Sequence, residues 1–266
     1  NIHLSKCLTL LSKCITGQQN PVAKGAFTAH TFKSNRRLVA MGNCTRANVT
    51  LFILFPHVSR SAMNCTECLW PKSTDGTVIV PYNFSSNYSA DQLALFKSTM
   101  QEYESLTCVR FVPRANETDF LSIVSDNGCA SFLGKVGGDQ TVQLDSYGCI
   151  YRGIIQHELN HALGFYHEQS RSDRDDYVTI HTENIIPGNF NKADSNNLGL
   201  EYDYSSVMHY SGDAFSKNGN LTIVPKPDPT VPIGQRDGLS ILDVSKINRL
   251  YQCGKSPMIR TSLLLF

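Results

Sequence analysis

The stretch HELNHALGFYHEQSRSDRD, His157 to Asp175, holds three histidines, two of them followed directly by a glutamate. His157 and His161 are four residues apart, which on a helix places both imidazoles on one face, one turn apart. Two imidazoles so placed can bind one Zn2+ at about 2.0–2.1 Å each. Glu158 follows the first of them, so its carboxylate lies near the metal without having to ligate it. That position suits a general base acting on water. A straight helix cannot easily supply His167 to the same face. Gly164 answers this, because glycine adopts a left-handed conformation cheaply and ends helices. The chain can then turn back and deliver His167 from outside the helix. Three imidazoles plus water make an open, catalytic zinc site, whereas a closed structural site would be richer in cysteine.

A second element supports the first. YDYSSVMHY, Tyr202 to Tyr210, places Met208 in a tight turn downstream of the third histidine. A methionine under the metal supplies a soft apolar floor for the imidazoles. Tyr210 brings a phenol that could ligate zinc weakly or donate to an oxyanion. The long histidine motif followed by such a Met-turn is the metzincin signature.

The elements that must position these residues read as one compact region. GTVIVPYNF (Gly76 to Phe84), CVRFVP and DFLSIVS read as strands, and TVQLD (Thr141 to Asp145) as a short one. Ser89 caps a helix running to Leu106, with apolar spacing at Leu93, Phe96 and Met100. CIYRGIIQHELNHAL is the helix that carries the motif, and GLSILDVSKINRLYQC is a closing helix that ends at Cys253. Arg171 to Pro232 is rich in Asn, Asp, Ser and Pro and reads as loops. The expectation is an α+β protein with a twisted sheet and the motif helix in an upper lobe. A loop-rich lower lobe with the closing helix lies across a cleft from it.

The chain has 266 residues, 41% of them hydrophobic, enough for a large core in one or two domains. A net charge of +1 gives no electrostatic case for a nucleic-acid partner. No apolar run approaches the roughly 18 residues of a membrane span; the longest, Val49 to Val58, is broken by Pro56 and His57. Nine cysteines and seven Asn-x-Ser/Thr sequons, at Asn43, Asn48, Asn64, Asn83, Asn87, Asn116 and Asn220, favour an oxidising, secreted setting.

HELNHALGFYHEQSRSDRDDYV and YDYSSVMHY closely resemble the astacin family of secreted zinc endopeptidases, over about Cys65 to Cys253. The resemblance implies the metzincin fold and one zinc per chain, held by His157, His161 and His167 with Tyr210 as a displaceable fifth ligand. It implies Glu158 as general base and Met208 as the floor of the site. It also implies that Glu168 contacts the amino terminus of the matured enzyme. Family-like pairing implies disulfides Cys108–Cys253 and Cys129–Cys149, leaving Cys65 and Cys68 as an extra pair. That pair, with GIIQHELNHALGF and VPIGQRDGLS, is most similar to the fish hatching-enzyme branch, whose members digest the egg envelope.

The domain plan that follows is an N-terminal segment over 1–63, a catalytic domain over 64–254 and a tail over 255–266. A signal peptide from Met41 is conceivable. Family pro-segments carry an aspartate in an F-x-G-D-like stretch, and none occurs in residues 1–63. Either latency works otherwise or residues 1–60 are not the true pro-segment; the second is the expectation, with a maturation cut near Arg60 to Asn64. The substrate is an extended protein or peptide chain, such as an egg-envelope glycoprotein, paired with TVQLD as a candidate edge. The enzyme is expected to be monomeric, with no nucleic-acid or membrane partner. Arg152, Arg171 and Arg174 could shape a pocket for acidic side chains, though Arg171 and Arg174 can equally pair with Asp173, Asp175 or Asp176. The alternatives are a non-catalytic extracellular binding protein pinned by zinc and an egg-coat binding module without proteolysis. The intact Glu158 speaks against the first, and the absence of evident aromatic platforms against the second.

Overall fold

The computed structural model describes residues 60–186 and 188–254. The readings for residues 1–59, Met41 and the first three cysteines included, and for the tail from Lys255 lie outside the described residues. Nine strands are described: β1 (Arg60–Met63), β2 (Val78–Phe84), β3 (Val109–Pro113), β4 (Phe120–Val124), β5 (Cys129–Ser131), β6 (Asp139–Leu144), β7 (Val178–Ile180), β8 (Ser195–Asn196) and β9 (Ile223–Pro225). Three helices join them: α1 (Ala90–Leu106), α2 (Arg152–Ala162) and α3 (Ile241–Leu250).

Five strands form one sheet in the order β3-β2-β4-β6-β5. The first four are mutually parallel, and β5 runs antiparallel to β6. Parallel strands are covered on both faces, so they read as continuous apolar runs rather than alternations. β4, FLSIV, is buried over its first four residues in this way. Helix α1 is set by its cap: Ser89 Oγ accepts from the Gln92 N–H while Gln92 Oε1 accepts from the Ser89 N–H, a capping box. Its buried Phe96, Met100 and Tyr103 share a core with Val78, Val80, Leu121, Ile123, Val142 and Leu144 of the sheet. Ile155 and Leu159 of α2, and Ile247 of α3, complete that core.

TVQLD is not the sheet edge. β5 lies outside it, pairing Cys129 with Leu144, Ala130 with Gln143 and Ser131 with Val142. Cys129 and Ala130 are exposed, so β5 carries no alternation that would betray a strand. A disulfide from Cys129 to Cys149 ties it to the turn before α2, and Cys108–Cys253 ties the start of β3 to the end of α3. The latter spans 145 residues of chain, which in the chain-entropy account stabilises by about 5 kcal/mol. Cys65–Cys68 closes a short loop after β1.

From Leu163 to Ser240 the chain is mostly irregular, with three single 3-10 turns and two two-stranded pairs, β7 with β9 and β1 with β8. A second, smaller core of Val178, Ile185, Phe190, Tyr202 and Ile223 holds this half together. The strand β1 belongs to the compact region: Ala62 is fully buried and bridges Phe165, and the Met63 N–H donates to the Gly164 carbonyl.

Candidate metal centre

Helix α2 ends where its sequence says it should. Gly164 has φ +99°, its N–H donates to the His161 carbonyl, and the Phe165 N–H reaches back to the Asn160 carbonyl. A side chain would be strained at this left-handed position. The turn lets His161 Nδ1 donate to the Phe165 carbonyl at 2.7 Å, and the chain then runs directly into His167. The Glu168 N–H donates to the Met208 carbonyl, and Gln169 Oε1 accepts from the Tyr210 N–H, so the third histidine is laced to the Met-turn.

The structure brings His157, His161 and His167 together. His167 Nε2 lies 3.2 Å from His157 Nε2 and 3.1 Å from His161 Nε2. His157 Nδ1 donates to the Val207 carbonyl at 2.8 Å. With protons assigned to Nδ1 of His157 and His161, their Nε2 atoms are lone-pair acceptors. His167 can give a proton to only one of them, so the cluster cannot be satisfied by hydrogen bonds alone. Three nitrogens about 2.0–2.1 Å from one Zn2+ at tetrahedral angles would stand roughly 3.3 Å apart, close to the spacing found. The donors therefore fit a zinc ion. Burial pushes the His157 imidazole down to about 3, with His161 adding to it, and burial pushes His161 down to about 4. His167 lies well below the usual histidine range for the same reason. All three are thus neutral, the form that ligates metal.

Glu158 is 5% exposed, and its Oε2 has no hydrogen-bond partner among the described residues. Burial raises its carboxyl to about 7, and the Arg236 guanidinium opposes that rise. The Tyr210 ring stands 4.4 Å from the His167 ring, its phenol raised by burial and by Glu158. Met208 is buried, its N–H held by Ser206 Oγ. Glu168 is buried and filled: Oε1 accepts from Arg171 and from the Asp203 N–H, and Oε2 from Lys246 Nζ at 2.6 Å.

Of the two readings open for Arg171 and Arg174, pairing with nearby acids is the one the structure has. Arg171 is 1% exposed and committed to Glu168, Asp173 and the Leu200 and Glu201 carbonyls. Arg174 pairs with Asp175, and Arg152 with Glu102 on α1. None of the three is a free pocket cation. Arg236, which sequence reasoning missed, is the arginine beside Glu158 and Tyr210. Its Nη1 donates to the His209 carbonyl at 3.0 Å. Its backbone packs on Gly153, where any Cβ would overlap the Arg236 carbonyl group. That glycine inside the motif helix was the available signal.

Residues 63–252 match the family model of astacin, a peptidase family. The embryonic protein UVS.2 of Xenopus laevis is 68% identical over 197 residues, 73% of this chain and 38% of that protein. The astacin-like metalloendopeptidase of Gallus gallus is 54% identical, over 77% of this chain and 52% of the relative. The chain thus spans about half or less of these two relatives. High choriolytic enzyme 1 of Oryzias latipes, 54% identical over 73% of this chain, is matched over 74% of its length. A solved structure of that protein, described as a hatching enzyme zinc-protease, superposes with a TM-score of 0.71 and is covered over 100% of its chain. A family model spanning most of the chain, on top of this histidine geometry, places the protein in the astacin family, with residues 63–252 as its zinc metalloendopeptidase domain.

Proposed function

We propose that this chain is a secreted endopeptidase that cleaves extended extracellular proteins, egg-envelope glycoproteins among them, at one zinc per chain. The observation that carries the reading is a buried carboxylate, Glu158, with one unpartnered oxygen beside three convergent, neutral imidazoles. The relatives named as choriolytic enzymes support the substrate class. The disulfides and sequons support secretion, and no helix of the described residues is long and apolar enough to cross a membrane. We take the enzyme to act as a monomer, with its catalytic domain over 64–254.

His157, His161 and His167 would hold the ion, with Tyr210 as a displaceable fifth ligand and Met208 beneath. When bound, it would supply a Lewis acid that polarises a carbonyl and acidifies water. The chain's own groups do the rest. The outer edge of β5 pairs with the substrate backbone and lays it across the site. Glu158 Oε2 takes the proton of the attacking water and passes it to the leaving amine. The Tyr210 phenol donates a hydrogen bond to the developing oxyanion. The Arg236 guanidinium opposes the rise that burial imposes on the Glu158 carboxyl.

Cleavage of a peptide library, with and without a chelator and with zinc content measured, tests this. Chelator-sensitive cleavage at internal bonds is the expected result. Bound zinc without cleavage would instead identify a binding protein pinned by the metal.

A further inference from the structure

The segment Ser206–Met208 touches the histidine triad from below, and it is held from the other side by one residue far along the chain. Asp243 lies on α3, is 3% exposed, and turns both carboxylate oxygens to this segment. Oδ1 accepts from Ser206 Oγ at 2.6 Å, and Oδ2 accepts from the Val207 N–H at 2.9 Å. Ser206 Oγ in turn accepts from the Met208 N–H at 3.0 Å. The opposite side of the segment presents two carbonyls to the site. That of Val207 accepts from His157 Nδ1, and that of Met208 accepts from the Glu168 N–H, next to His167.

We infer that Asp243 is a positioning residue for the zinc site, fixing Ser206–Met208 and through its carbonyls the orientation of His157 and the approach of His167. The inference rests on the zinc reading above. Partners that orient a metal-ligating histidine through its second nitrogen set its tautomer and direction. Here that partner is a backbone carbonyl, which cannot hold its place unless the segment carrying it is itself fixed. Asp243 makes two kinds of contact, which share Oδ2 but have different partners. Toward the Met-turn it accepts from Ser206 and Val207. Toward its own helix it accepts from the Ser240 N–H at 3.0 Å and donates its N–H to Ser240 Oγ at 2.9 Å, a capping box. Lys246, one turn on, faces both Asp243 and Glu168.

Three variants divide these roles. Asp243→Asn keeps the shape but turns an NH2 toward a donor. Ser206→Ala removes only the Met-turn contact, and Ser240→Ala removes the helix cap together with the hydrogen bond that Ser240 Oγ donates to Asp203 Oδ2. Zinc affinity is measured by competition with a chromophoric chelator, and the visible bands of the Co2+-substituted protein report ligand geometry. Asp243→Asn is expected to weaken zinc about 10–100-fold and to shift the cobalt bands. Ser206→Ala should do the same to a smaller degree, while Ser240→Ala lowers thermal stability and leaves both metal readouts alone. Wild-type affinity and cobalt bands in folded Asp243→Asn and Ser206→Ala would overturn the inference, as would an equal loss in Ser240→Ala. If Asp243→Asn does not fold, Ser206→Ala decides alone. His161→Ala is the control for the underlying reading: should it keep zinc at wild-type affinity, the triad itself is misassigned, a distinct failure.

Discussion

The half that carries the sheet and the half from Leu163 to Ser240 are held by different forces. In the first, the apolar faces of α1 and α2 cover parallel strands, and Val78, Val80, Leu121, Ile123, Val142 and Leu144 form one dry interior. In the second, regular structure is sparse. Beside its small core of Val178, Ile185, Phe190, Tyr202 and Ile223, it is ordered by Glu168, Arg171, Asp203 and Asp243, all buried and bonded to backbone or to each other. The metal centre sits where these meet: two ligands stand on a helix fixed by packing, and the third rides on a segment fixed by polar contacts. Apolar packing tolerates small changes by shifting, but a buried charge left alone does not.

The sharpest way to break this comparison is at Glu168. Glu168→Ala leaves Arg171 and Lys246 without their shared carboxylate and should destabilise by about 3–5 kcal/mol in denaturant unfolding. Adding Lys246→Met to that variant should recover part of the loss, because it removes one of the stranded charges. Strict additivity of the two changes would mean that the lower half is not held by this network. In the upper half, Ile123→Ala should cost about 2–5 kcal/mol, set by the cavity it leaves. A partner change at its packed neighbours should compensate through volume, not charge.

A smaller effect is a pH dependence of the zinc-free protein. The three imidazoles lie below the ordinary histidine value when folded, so below about pH 6.5 the unfolded chain binds protons that the folded one does not. Stability therefore falls as pH drops from there toward 4. Glu158, raised to about 7 by burial with Arg236 opposing, acts the other way between its unfolded value and 7, since there the folded state holds the extra proton. Three groups outweigh one, so the net slope is a loss on acidification. Glu158→Gln should steepen it, as thermal melts across this range would show; an unchanged slope would mean that Glu158 is not buried uncharged.

The same division explains what could be read from the chain beforehand. The α1 cap at Ser89, the strand runs and the Gly164 turn are local patterns, and each is visible within a few residues. The spacing of His157, His161 and His167 is local too. β5 was not legible, because Cys129 and Ala130 are exposed and only their pairing makes them a strand. Arg236, Asp243 and Lys246 were not legible either. Their partners lie 27 to 78 residues away in sequence, and no local rule links an aspartate on a closing helix to a turn beneath a metal. For Arg171 and Arg174 the sequence offered both a pocket and pairing with nearby acids, and only the fold selects the pairing with Asp173 and Asp175.

Glu158→Gln tests the central claim most directly. Zinc content and peptide turnover are measured on the same preparation. Glutamine keeps the size and removes the proton acceptor, so zinc should remain at one per chain while turnover falls by about 10²–10⁴. Wild-type turnover in the zinc-loaded variant would contradict the assignment of Glu158 as the base.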